Sequence, residues 1–172
     1  METMKLKNDI YYVGARDPEL RVFDIVMETE FGTTYNSYLV KGAKNVLIET
    51  AKAKTWDSYI EQVEKVLDGE EIHFIIINHT EPDHSGSLKM ILEKYPNAHV
   101  YCSKPASMYL KQIMNREFAF TPVQDGQVVE LGGRHYKFIM APFLHWPDTI
   151  FTYLMEEKTL FTCDAFGCHF CP

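Results

Sequence analysis

Phe74-Ile75-Ile76-Ile77 carries apolar side chains on both sides of a β pleat, within an apolar run spanning 72–77. A strand of that kind is covered on both faces, which places it inside a layered α/β architecture rather than at a surface. The run leads directly into His79-Thr80-Glu81-Pro82-Asp83-His84. Two imidazoles and two carboxylates thus fall within six residues, at a strand-to-helix junction where ligands gather in open α/β sheets. Borderline metals accept imidazole nitrogen and carboxylate oxygen together, and such a cluster can feed two ions at once. The plain alternative is a polar loop that happens to be rich in acids and histidines.

The flanking sequence completes the α/β pattern. Residues 10–13, 20–27, 34–40 and 45–49 read as successive β-branched and aromatic strands separated by turn residues. Trp56, Ile60, Val63, Val66 and Leu67 then recur at helical spacing until Asp68-Gly69 ends the helix. A second helix is expected over 85–94, with Leu88, Ile91 and Leu92 inward. A short strand follows at Val100-Tyr101, and Pro105 opens a third helix in its first turn. Strands return at 118–121, 127–131, 135–140, 150–155 and 160–163.

Several functional classes are disfavoured. At 172 residues the chain is one domain. Its net charge of −7, with no clustered Lys and Arg, argues against a nucleic-acid partner. The apolar runs are strand-sized, so no membrane span is expected, and the N-terminus lacks an apolar leader, which makes the cytoplasm the expected location. Cys163, Cys168 and Cys171 have the C-x4-C-x2-C spacing of plant-type iron–sulfur ferredoxins, but no fourth cysteine follows. Free thiols are the expected state of all four cysteines, Cys102 included.

Two further positions share the setting of the central motif. His145 follows the apolar strand ending at Ala141-Pro142, and Asp164 lies immediately past the strand that ends at Cys163. Three strand ends therefore offer His79/Glu81/Asp83/His84, His145 and Asp164, and such ends converge along one sheet edge. Asp148 is expected to orient His145 from behind. His73 and His99 read as surface positions, His135 as a hairpin residue, and His169 as unconnected to the site.

His79-x-Glu81-x-Asp83-His84 with His145 and Asp164 resembles the flavodiiron proteins, the A-type flavoproteins. So do Asp17–Asp24, Gly32–Val40, Leu144–Asp148 and Cys163–Gly167. The resemblance covers essentially all of residues 1–172 and implies a metallo-β-lactamase-like αββα sandwich, of which the chain is the N-terminal portion. It implies one iron held by His79, Glu81 and His145. The second would be held by Asp83, His84 and a further histidine beyond residue 172, with Asp164 bridging the two. Reduction of O2 to water or of NO to N2O is implied, with electrons from FMN in a flavodoxin-like domain and from a rubredoxin-type donor. That domain lies outside residues 1–172. The portion alone is therefore expected to be inactive and to need the rest of the domain, or self-association, to cover its apolar surface. Hydrolytic dizinc relatives carry His where Glu81 stands, although zinc could be captured on expression. A flavin-free O2-binding module is the other alternative. Asp24 stands where many relatives place a histidine near the gas pocket. There it could hydrogen-bond a guest or pair with Arg21. Trp146, beside His145, is a second candidate for a catalytic role.

Overall fold

Val46 and Ile48 pack toward one layer and Leu47, between them, toward another, and all three are buried. Ile76 is likewise opposed to Ile75 and Ile77. The computed structural model, which describes residues 4–172, thus has a central sheet with a core on each face. In chain order the first strands are β1 (Met4–Lys7), β2 (Ile10–Tyr12), β3 (Ala15–Asp17), β4 (Val22–Phe23), β5 (Met27–Glu28), β6 (Thr33–Tyr35), β7 (Tyr38–Val40) and β8 (Asn45–Ile48). Alternation follows as α1 (Trp56–Leu67), β9 (Ile72–Ile77), α2 (Pro82–Ser85), α3 (Leu88–Lys94), β10 (His99–Ser103), α4 (Lys104–Met114) and β11 (Phe120–Val123). Then come β12 (Val128–Leu131), β13 (Arg134–Met140), β14 (Ile150–Leu154) and β15 (Thr159–Phe161).

The central sheet has seven strands in the order β1-β2-β7-β8-β9-β10-β11, parallel from β8 to β11 and antiparallel before that. Helices α1, α3 and α4 cover one face, where Tyr59, Val63, Ile91 and Leu110 pack on Leu47, Ile75 and Val100. The antiparallel sheet β12-β13-β14-β15 covers the other, bringing Tyr136, Phe138, Ile150 and Leu154 against Val46, Ile48 and Ile76. The described residues therefore supply α, β and β layers of the expected sandwich. Local chemistry agrees with this placement. Ser103 caps α4 by accepting from the Ala106 amide at 3.1 Å. Pro122, which cannot donate to a ladder, sits on edge strand β11. Among the described residues, no helix is long and apolar enough to cross a membrane.

Three expected elements differ. The strand expected over 20–27 is two short strands, β4 and β5, reversing through Asp24 and Ile25, both at positive φ. Phe23 reaches the core, but Val22, Ile25, Val26 and Met27 find no sheet to bury them, and Ile25 is 94% exposed. The strand expected over 34–40 breaks at Asn36-Ser37, so that β6 pairs β3 while β7 joins the central sheet. The helix expected over 85–94 begins only at Leu88, because Gly86 and Ser87 are pressed against 51–53. The Ser87 amide donates to the Ala51 carbonyl at 2.9 Å, and a Cβ on Gly86 would fall 2.8 Å from the Ala53 nitrogen.

Candidate metal centre

β9 ends at Ile77, and its chain direction delivers His79 into the interior, where the side chain is fully buried. Pro82 then starts α2 at its first position, where a missing N–H costs nothing, and this turn presents Glu81, Asp83 and His84. His145 comes from the loop after β13 and Asp164 from the turn after β15. The central sheet thus contributes four of the side chains, and the smaller sheet contributes two.

All six converge, as two overlapping sets. Ligand atoms of His79, Glu81, His145 and Asp164 lie within 4.8 Å of one another, and so do those of Asp83, His84 and Asp164. Glu81 Oε2 lies 3.2 Å from His79 Nε2 and 2.8 Å from His145 Nε2. Asp164 Oδ2 is 3.5 Å from each of these same nitrogens. Its other oxygen, Oδ1, is 2.6 Å from His84 Nε2, which in turn is 3.3 Å from Asp83 Oδ2. Asp164 therefore turns one oxygen to each set.

The residues fit a pair of metal ions. Ligand atoms bound ~2.1 Å from one ion at tetrahedral to octahedral angles sit roughly 3.0–3.4 Å apart. The edges of the first set, from 2.8 to 3.5 Å, bracket that spacing. Asp83 Oδ1 and Asp164 Oδ2 are buried without a hydrogen-bond donor. Three carboxylates at close quarters repel one another unless cations separate them.

Buried groups behind the ligands hold them in place. Asp148, fully buried, accepts from the Thr80 amide and hydroxyl at 2.8 Å each and faces His79 Nδ1 at 3.5 Å. It therefore backs His79 and not His145, because the 145–148 turn carries it beneath the sheet end. Despite burial, its bonds from His79 and Thr80 keep its carboxyl below the ordinary range. Glu49, at the end of β8, was not anticipated from the sequence. Its Oε2 meets His84 Nδ1 at 2.7 Å and its Oε1 accepts from the Asn78 amide. Burial opposes charge on His84, yet bonds to Asp164, Asp83 and Glu49 hold its pKa well above that of a free imidazole. Asp164 is shifted down: burial is outweighed by the bond and charge of His84, with His79 and His145 adding theirs.

Beside the two sets lies a cavity of about 320 Å³, lined by Glu81, Asp83, His84, His145 and Asp164 and also by Phe23, Asp24 and His169. Burial, a bond from the protonated Glu81 carboxyl to Asp24 and the charge of Asp83 raise the Glu81 pKa. Arg21 does not pair with Asp24: it donates to the Pro18 and Leu20 carbonyls. Trp146 packs edge-on against His79, with centroids 5.2 Å apart, and buttresses that ligand. His73, His99 and His135 bond to Asn45, Thr121 and Glu156, away from the site. His169 departs from expectation by lining the cavity; its distance from any regular strand had hidden this.

A family profile described as "ODP family beta lactamase" matches residues 33–171. The flavo-diiron protein FprA2 of Clostridium acetobutylicum is 48% identical over 173 residues, covering 99% of this chain and 43% of that protein. The anaerobic nitric oxide reductase flavorubredoxin of Vibrio vulnificus is 40% identical over 175 residues, covering 98% and 35%. The structure of rubredoxin oxygen:oxidoreductase from Desulfovibrio gigas superposes with a TM-score of 0.95 at 28% identity, over 99% of this chain and 43% of that one. The chain spans less than half the length of each of these relatives.

Proposed function

The chain belongs to the ODP beta-lactamase family, and from that membership we propose that it forms the diiron centre of a flavodiiron oxidoreductase reducing O2 to water or NO to N2O. His79, Glu81 and His145 would hold one iron and Asp83 and His84 the other, with Asp164 between them. A later histidine of the parent protein would complete the second set. The observation that carries this reading is the division of the Asp164 carboxylate, one oxygen to each group of ligands.

When bound, an iron pair supplies electrons two at a time to a diatomic gas. The protein's part is to hold and shape. Asp148 and Glu49 fix the two buried imidazoles from behind, and such outer partners set ring orientation and ligand basicity. Glu81, Asp83 and Asp164 bring anionic oxygen, which suits iron better than an all-imidazole set does. Asp24 lines the same cavity beside Glu81, where its carboxyl can hydrogen-bond a guest. Electrons would reach the site from FMN in a flavodoxin-like part of the parent protein, fed by a rubredoxin-type carrier. Self-association would bring that flavin close. A cytoplasmic location fits the four cysteines, all of which are free thiols.

The test is elemental analysis of protein purified anaerobically with iron, followed by O2 and NO consumption by the parent protein with a reduced flavin donor. Two irons per chain and gas uptake are expected. Tight zinc, no iron and hydrolysis of a thioester or lactam would instead assign the centre to the dizinc hydrolases.

A further inference from the structure

His169 is a histidine of the cavity wall that the ligand sets leave unused. It lies five residues past Asp164 and is not among the side chains whose ligand atoms converge. Two contacts fix its ring. Nδ1 lies 3.0 Å from the hydroxyl of Thr33, a buried residue, and the ring packs on Phe23 with centroids 4.6 Å apart. The segment that carries it is strapped down as well. The Cys171 amide donates to the Phe31 carbonyl at 2.9 Å, and Phe170 leans on Phe31. Thr33 and Phe23 line the same cavity, so the ring is held by the wall in which it stands.

Resting on the diiron reading above, we propose that His169 is a hydrogen-bond donor to the small, negatively polarised ligand that the cavity receives. In the tautomer this requires, the Thr33 hydroxyl donates to Nδ1, the ring carries its proton on Nε2, and that N–H is the donor left free. Apart from Thr34, Asn36, Cys163 and Cys168, the remaining polar groups around the cavity are candidate metal ligands or carboxylates. Asp24, Glu81, Asp83 and Asp164 offer acceptors when ionised, whereas a gas gaining electrons needs a donor. A neutral imidazole locked by a hydroxyl meets that need without adding a charge.

Azide serves as the probe, because it binds ferric iron as an anion and its affinity can be read from a charge-transfer absorption band without turnover. His169→Phe keeps an aromatic ring against Phe23 and removes the donor; His169→Gln restores an N–H. Iron content is measured for each variant. Unchanged iron, azide binding weakened roughly tenfold or more in His169→Phe, and recovery in His169→Gln are expected, since a hydrogen bond to a charged acceptor is worth about that much. Thr33→Val, which frees the ring, should fall between the two. Equal azide affinity in wild type and His169→Phe at equal iron content would overturn the inference. Wild-type protein that takes up no iron would overturn the metal reading itself and this inference with it, so the two failures are told apart by the iron analysis.

Discussion

Glu49 Oε2 lies 2.7 Å from His84 Nδ1, joining the end of β8 to the turn after β9 through two buried side chains. A carboxylate behind an imidazole fixes which nitrogen is free to bind metal. Glu49→Gln should therefore lower affinity for the second ion about 10–100-fold, measured by metal titration. Glu49→Ala leaves His84 buried without its partner and should destabilise the metal-free chain by about 3–5 kcal/mol in urea unfolding.

Asp164 is the one ligand common to both sets. Asp164→Ala should cost both ions together, so that elemental analysis falls from two per chain to well below one. Loss of one ion only would show that the sets are filled independently.

In the metal-free protein, His84 keeps its proton well above the ordinary imidazole value of 6.5. Metal must displace that proton, so uptake should release protons at neutral pH and affinity should fall as the medium is acidified. The sign for stability is the reverse on the alkaline side. A raised folded-state pKa contributes fully below about 6.5 and is lost as pH climbs through the folded value. The lowered pKa of Asp164 contributes above the unfolded carboxyl value and is lost as pH drops through the folded one. Melting temperature of the metal-free chain should thus decline in both directions from near neutrality, and a monotonic rise with pH would contradict the assignment.

Phe138 is fully buried where the two sheets meet. Phe138→Ala should cost about 3–5 kcal/mol in denaturant unfolding, because a packed core refills such a gap only partly.

The convergence of the candidate ligands was legible in the sequence because each follows an apolar strand, and strand ends lie along one edge. The layering was legible for a related reason: residues 74–77 admit no solvent face. What escaped were partners set by tertiary geometry. Glu49 reads as the polar end of a strand, and only the parallel register of β8 with β9 brings it under His84. Proximity in sequence links Asp148 to His145, although the fold carries it to His79. Residues 20–27 have strand composition, but composition cannot report that no partner edge is available. His169 sits in an irregular segment without periodicity, so nothing local linked it to Thr33, 136 positions away.

The two sheets meet at the candidate metal centre as well as in the apolar core, since His79 through His84 ride on one and His145 and Asp164 on the other. Bound ions would act as a rivet through both plates. Prying the smaller sheet loose would strip its two ligands at once, so occupancy becomes a gauge of whether the halves are seated. Such a protein should surrender its metal before it unfolds.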